Sequence, residues 1–131
     1  MSILVVGLNH KTAPVEVREK LAFNDQTLPR ALIESRNHIP DTEVVILSTC
    51  NRVEMYAAGA DAEKRFSEIA RFVAGFHDLN PEEFLPHLYR YLDRDAVRHL
   101  FTVTCSIDSM VVCDAEVLCQ VKSAYMFALE D

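Results

Sequence analysis

The chain has 131 residues, half of them apolar, with a formal net charge of −7 and only three glycines. This length and composition suit one packed domain and exclude a disordered or low-complexity protein. The acidic balance disfavours a surface that grips nucleic acid unaided, and no apolar run is long enough to span a bilayer. The start, MSILVVGLNHKT, lacks a basic segment before its apolar run, which disfavours a signal peptide and predicts a cytoplasmic protein.

Apolar runs alternate with amphipathic ones in the first part of the chain. SILVVGLNH predicts a first strand, and Thr12 and Pro14 predict the start of a helix directly after it. A second helix is expected from Thr27 to about Asn37. EVVILST and RVEMYAAG then predict two strands joined by a tight hairpin, in which Asn51 is expected to supply a left-handed turn residue.

The second half continues the same alternation. DAEKRFSEIARFVAGFH predicts a helix capped by Asp61, and HLYRYL predicts a fourth strand, with a helix as the alternative. From Asp93 a further helix is expected, whose inward face would be Ala96, Val97, Leu100 and Phe101. A last helix opens near Asp114. The order strand, helix, strand, strand, helix, strand predicts an α+β fold: a ferredoxin-like split βαβ sheet with additional C-terminal helices.

Cys50 stands in the polar break between two predicted strands, with Ser48 and Thr49 before it and Asn51 and Arg52 after it. Structural cysteines usually lie within apolar runs. A partly exposed cysteine beside a cation is instead favoured as a thiolate, which is the nucleophilic form. Cys50 is therefore a candidate nucleophile, and an ordinary turn cysteine is the alternative.

Five histidines are candidate acid–base partners: His10, His38, His77, His87 and His99. His10 ends the first predicted strand and would reach the same rim as Cys50 if the strands pair. His99 neighbours apolar residues on a predicted helix, which is typical of a buried structural histidine. The residues alone do not choose between these positions.

Two negative findings limit the chemistry. None of the four cysteines forms a C-x-x-C pair, so no metal site is predicted; those beyond Cys50 are Cys105, Cys113 and Cys119. The glycines form neither G-x-G-x-x-G nor a P-loop, so no dinucleotide site is predicted; they are Gly7, Gly59 and Gly75.

Several stretches carry a family resemblance: GLNHKTAPVEVREKLAF, ILSTCNRVEMY, AVRHLF, IDSM and LCQVKSAY. In this order, from about Leu4 to the last residues, they resemble the N-terminal catalytic domain of glutamyl-tRNA reductase. The resemblance implies a ferredoxin-like α+β unit with helical additions. It also implies reduction of glutamyl-tRNA to glutamate-1-semialdehyde with NADPH, on the route to 5-aminolevulinate and tetrapyrroles.

The resemblance assigns roles to individual residues. Cys50 matches the nucleophile that would form a glutamyl thioester. His99 matches a histidine that would polarise the ester or assist the leaving group. Arg52 matches a residue that would bind a substrate carboxylate bidentately. The full set of matched substrate contacts is Thr49, Asn51, Arg52, Ser109, Asp114, Ala115, Glu116 and Gln120.

The chain departs from the family pattern in one region. Ser106, Cys113 and Cys119 stand where the family usually has glycine, and the segment 114–116 replaces Glu-Pro-Gln with Asp-Ala-Glu. Glu116 adds a carboxylate that would repel that of the substrate. The departures predict an altered half-site at 106–119 beside an intact half-site at Cys50.

The resemblance also implies a domain organisation and partners. Residues 1–131 are expected to be a single catalytic domain excised from a longer chain, with the NADPH-binding and dimerisation domains absent. The full-length protein would be a homodimer that acts on glutamyl-tRNA and passes its product to glutamate-1-semialdehyde aminomutase. Two alternatives remain open: a non-catalytic regulatory module that binds an amino acid, tRNA or haem, and a cysteine hydrolase that uses Cys50 and His99 on esters.

Overall fold

A computed structural model describes residues 2–39 and 41–104 of the chain. In chain order its strands and α-helices are β1 (Ser2–Asn9), α1 (Val15–Leu21), α2 (Thr27–His38), β2 (Thr42–Ser48), β3 (Arg52–Gly59), α3 (Phe66–Phe76), β4 (Tyr89–Leu92) and α4 (Arg94–Thr104). Single 3-10 turns lie at Ala62–Lys64, Pro81–Glu83 and Leu85–His87. Among the described helices, none has the length and apolar character needed to cross a bilayer.

The four strands form one antiparallel sheet in the order β2-β3-β1-β4. Each split βαβ unit leaves a gap that a strand of the other unit fills, which is the ferredoxin-like arrangement. The predicted α+β class and strand order are therefore confirmed. The last predicted helix, near Asp114, falls outside the described residues.

The two faces of the sheet differ in chemistry because side chains alternate along each strand. On one face, Leu4, Val6 and Leu8 of β1 pack with buried residues of α1, α2 and α3 to form the main core. The predicted apolar stripe of α3 lies on this core, with Ile69 fully buried. The opposite face of the sheet lies against α4 and carries the polar residues described below.

Three local expectations were wrong. The third helix begins at Phe66, since the residues after Asp61 first form a 3-10 turn. On α4, Phe101 is 65% exposed and Val97 is 40% exposed, while the buried positions are Ala96, His99 and Val103. Among the described residues other than glycine, positive φ angles occur only at Asp41, Asp78 and Asp93, so Asn51 is not left-handed.

Candidate active site

Cys50 is exposed on the short connection between β2 and β3. The backbone N–H of Thr49 donates to the carbonyl of Arg52 at 2.8 Å and closes the hairpin. The Thr49 hydroxyl oxygen in turn accepts from the N–H groups of Asn51 and Arg52, at 3.1 and 3.2 Å. A threonine side chain therefore fixes this turn, in place of the left-handed residue that such a short loop often needs.

Two contacts hold the loop from outside. Arg18 of α1 donates from Nη1 to the carbonyl oxygen of Cys50 at 3.4 Å. The backbone N–H of Phe23, in the connection after α1, donates to the Ser48 hydroxyl at 2.9 Å. Cys50 is thus contacted from α1, and Ser48 before it is contacted from the segment that follows α1.

The strand that leaves this loop places three polar side chains on one face of the sheet. Arg52, Glu54 and Tyr56 are two residues apart on β3, so they point to the same side. Arg52 and Glu54 are both buried, and Arg52 Nη1 lies 3.6 Å from Glu54 Oε2. The guanidinium that follows Cys50 is therefore oriented by a carboxylate beneath it.

Glu54 is the centre of a buried hydrogen-bonded network. Its side chain is 0% exposed. Tyr56 donates its hydroxyl to Oε1 at 2.8 Å, while the Tyr89 hydroxyl and His99 Nε2 both donate to Oε2. Such a carboxylate is compatible with burial only because several donors and a cation replace the water it has lost.

The protonation states in this network follow from its electrostatics. Burial alone would raise the pKa of Glu54, but the hydrogen bond and charge of His99, with smaller effects from Tyr89 and Arg52, lower it overall. Burial and the charge of Glu54 raise the pKa values of Tyr56 and Tyr89, so both remain hydroxyl donors. Because an ionised carboxylate can only accept, the hydrogen in the His99–Glu54 bond lies on Nε2.

His99 is held in one orientation on α4. It is 8% exposed, its ring stacks on Tyr91 at 4.6 Å between centroids, and Tyr89 lies 5.3 Å away at 58°. Glu54 engages Nε2 rather than Nδ1, and the carboxylate and the two tyrosines together fix the orientation of the ring.

Gly7 makes room for Glu54. The two residues are paired across β1 and β3. A Cβ atom at position 7 would meet the Val53 carbonyl oxygen at 2.6 Å and Glu54 Cγ at 2.8 Å. A glycine is therefore required here by close approach of the neighbouring strand.

The structure brings together one half of the predicted site. Arg52 and His99 meet through Glu54, and the loop directly before Arg52 holds Cys50, Thr49 and Asn51. The strand pairing on which the reach of His10 depends is present, since Asn9 pairs with Arg52; a role for His10 stays a prediction. The other predicted positions lie outside the described residues, and their roles stay predictions: Ser109, Asp114, Ala115, Glu116 and Gln120.

The sequence interpretation missed Glu54, Arg18 and the two tyrosines that contact Glu54. A signal for Glu54 existed: Arg52, Glu54 and Tyr56 recur with the two-residue period of a strand, so they had to share a face. No comparable local signal marks Arg18, because its contact with Cys50 joins residues 32 positions apart.

No group of three or more histidine, cysteine, aspartate or glutamate side chains is arranged to hold a metal ion within residues 2–39 and 41–104. The expectation that the protein binds no metal stays a prediction.

The fold and this network define a class: a ferredoxin-like domain that presents an exposed cysteine beside a buried Arg–Glu–His arrangement. Residues 6–131 match the protein family described as "Glutamyl-tRNAGlu reductase, N-terminal domain". The chain therefore belongs to the glutamyl-tRNA reductase N-terminal domain family.

Individual relatives agree with this assignment. The chain is 46% identical to a glutamyl-tRNA reductase of Magnetococcus marinus over 98% of its own length and 31% of the relative. It is 47% identical to one of Geotalea uraniireducens, over 99% of the chain and 30% of the relative. A solved structure of the glutamyl-tRNA reductase from Methanopyrus kandleri superposes with a TM-score of 0.67 at 36% identity, covering 98% of this chain and 28% of that one. The chain thus spans about a third of the length of these relatives.

Proposed function

We propose that this domain carries out the acyl-transfer half of a glutamyl-tRNA reductase reaction. One observation carries the proposal: an exposed cysteine, on a loop held by hydrogen bonds, leads directly into the buried Arg52–Glu54–His99 network of a chain that belongs to this family. The activity of the whole protein remains part of the proposal, because the chain covers only a fraction of its relatives.

The proposed step is a transesterification. The Cys50 thiolate attacks the carbonyl carbon of the ester that joins glutamate to the tRNA ribose. The new C–S bond replaces the C–O bond, and the released ribose oxygen takes up a proton. The product is a glutamyl thioester, whose carbonyl is more electrophilic than that of the ester and is therefore better suited to reduction.

The charges of the described site favour this step. Two buried guanidinium groups, Arg18 and Arg52, are close to the Cys50 loop, against one buried carboxylate, Glu54. A net positive environment stabilises the negative charge that develops on the attacked carbonyl oxygen and on the departing ribose oxygen.

The other predicted residues receive supporting roles in the proposal. Arg52, fixed by Glu54, would bind a carboxylate of the substrate, and His99 would polarise the ester or protonate the leaving oxygen. Thr49 and Asn51 would contact the substrate from the loop. The resemblance alone supports substrate contacts at Ser109, Asp114, Ala115, Glu116 and Gln120.

The described residues do not fit NADPH. Gly7 is enclosed between strands, Gly59 ends β3 against the Asp41 carbonyl, and Gly75 lies in α3, so none forms a phosphate-binding turn between a strand and a helix. We therefore assign the hydride donor of the family reaction to a part of the protein other than this domain. No step of the reduction is derived from these residues.

The remaining partners are proposed on the resemblance alone. They are glutamyl-tRNA as substrate, glutamate-1-semialdehyde aminomutase as recipient of the aldehyde, and a second copy of the full-length protein in a homodimer. The cytoplasmic location expected from the sequence stays a prediction.

The test measures NADPH oxidation and release of free tRNA when the protein that carries this domain is mixed with glutamyl-tRNA. Equal amounts of NADPH consumed and tRNA released, both lost in Cys50→Ser, support the proposal. Release of tRNA without NADPH consumption would identify an ester hydrolase, and binding without either product would identify a non-catalytic module.

A further inference from the structure

We propose that Arg18 is a positioning residue for Cys50, which fixes the nucleophile's backbone from beneath the loop. The inference rests on the proposed acyl-transfer function and assigns it a residue on α1, outside the STCNR stretch that carries the nucleophile.

The first observation is the burial of a charge. Arg18 is only 6% exposed, although it lies in a helix of seven residues. Within residues 2–39 and 41–104, no carboxylate lies at ion-pair distance from it, and its Nε atom has no hydrogen-bond partner there. Burying a guanidinium without a counter-ion is costly, so among the described residues stability alone gives a poor reason for an arginine at this position.

The second observation is where this side chain makes its contact. Its one hydrogen bond to another described residue goes from Nη1 to the carbonyl oxygen of Cys50, at 3.4 Å. The remaining loop contacts fix the neighbours of Cys50: Thr49 closes the turn, and Phe23 holds Ser48. Arg18 is the residue of α1 whose side chain binds Cys50 itself.

The consequence for catalysis is geometric. A nucleophile must lie about 3–3.5 Å from the carbon it attacks, and a misplacement of about 1 Å can cost roughly 100-fold in rate. Removing Arg18 takes away the hydrogen bond to the Cys50 carbonyl, while the bonds at Thr49 and Ser48 remain. The acylation rate constant should therefore fall while substrate affinity, which depends on other residues, stays nearly unchanged.

The test compares Arg18→Ala with Lys20→Ala in the 131-residue chain. Lys20 lies on the same helix and carries the same charge, but its side chain is 55% exposed and pairs with Glu83 at the surface. Circular dichroism and thermal unfolding establish that each variant is folded. Arg18→Lys, which keeps the charge and the aliphatic stem but loses the planar fork, serves as a second variant if Arg18→Ala does not fold.

The first measurement needs no substrate. Hydrogen exchange at the Asn51 and Arg52 amides, which the loop hydrogen bonds protect, should accelerate by about tenfold or more in Arg18→Ala and by a smaller factor in Arg18→Lys. The amides of β1 and β3 should keep their protection, and Lys20→Ala should match the parent. Unchanged exchange at residues 51 and 52 in a folded Arg18 variant overturns the inference, whatever the chain does with tRNA.

The second measurement is single-turnover acylation by labelled glutamyl-tRNA across a range of concentrations. Arg18→Ala should lower the maximal rate constant by about 10- to 100-fold, with the half-saturating concentration within about threefold of the parent. A change in half-saturation alone, or a rate equal to that of Lys20→Ala, overturns the inference. If the parent is not acylated while the exchange result holds, the proposed function fails and the positioning role of Arg18 stands.

Discussion

Replacing Gly7 by alanine should disrupt the strand pair that carries the buried carboxylate. The added Cβ atom would lie 2.6 Å from the Val53 carbonyl oxygen, 2.8 Å from Glu54 Cγ and 3.1 Å from Glu54 Cα, where ordinary contacts begin near 3.4 Å. Two of these atoms belong to the backbone of β3, so β1 and β3 must separate locally by roughly 0.8 Å, the difference between 3.4 and 2.6 Å. Glu54 would move away from the donors that neutralise it.

Gly7→Ala should lower the free energy of unfolding by about 1–3 kcal/mol, the range for forcing an extra methyl group into a packed interior. Gly75→Ala is the matched control, because nothing lies within 4 Å of the new Cβ and the position is inside α3. This second change should stabilise the domain by about 0.5–1 kcal/mol, since alanine favours helix more than glycine does.

Urea denaturation at pH 7 measures both variants against the parent, with the midpoint compared at a common slope. The two alanine variants should move the free energy of unfolding in opposite directions. Stabilities that agree within about 0.5 kcal/mol for Gly7→Ala and the parent would refute the steric reasoning at this strand pair.

Three further outcomes follow from the described contacts. Glu54→Gln should destabilise the domain by about 3–5 kcal/mol, because it leaves a buried cation and buried donors without their carboxylate; a loss below about 1 kcal/mol in urea denaturation would contradict the network. Burial lowers the pKa of His77 in the folded protein below its ordinary 6.5, and a backbone hydrogen bond with Leu21 opposes this effect only in part. The contribution of neutral His77 to the free energy of unfolding should therefore be fully present above pH 6.5. It should be lost as the pH falls from 6.5 through the lower pKa of the folded state. His77→Gln should remove that slope below pH 6.5, and an unchanged slope would assign it to another group; protonation of Glu54, whose pKa is also lowered, adds a separate loss below pH 4.5. Val103→Ala should lower the free energy of unfolding by about 2 kcal/mol, as expected for the loss of two buried methyl groups and the cavity they leave. Phe101→Ser should lower it by less than about 0.5 kcal/mol. Equal losses in urea denaturation would contradict the observed inward face of α4.

The elements of this fold were predictable because their signals are local. The apolar run of β1, the hairpin strands and the helices α1 and α2 each follow from residues within one segment, and the resulting order fixes the ferredoxin-like topology. The inward face of α4 was not predictable in this way. Periodicity selected Val97 and Phe101, but the sheet face beneath α4 holds the carboxylate of Glu54, 45 residues away, and His99 is the α4 side chain that can bond to it.

In the candidate site, too, residues with a local sequence signal were predictable, and residues defined by contacts between distant parts of the chain were not. Cys50 and Arg52 are recognisable because polar residues interrupt two apolar runs, whereas Glu54 is visible only once β3 is known to have a polar face. Arg18 lies within a stretch that carries the family resemblance, but nothing local marks its burial or its contact with Cys50, since a charged residue on a short helix is normally solvated.

The most direct test of the account is acyl-enzyme trapping on Cys50. The domain is mixed with glutamyl-tRNA carrying labelled glutamate, quenched in acid and analysed by intact mass and peptide mapping, with Cys50→Ser as the control. We expect one glutamyl group per chain, located on the peptide that contains Cys50 and absent from the serine variant. A folded domain with a titratable Cys50 thiol that acquires no label, or acquires it equally in Cys50→Ser, would contradict the assignment of Cys50 as the nucleophile.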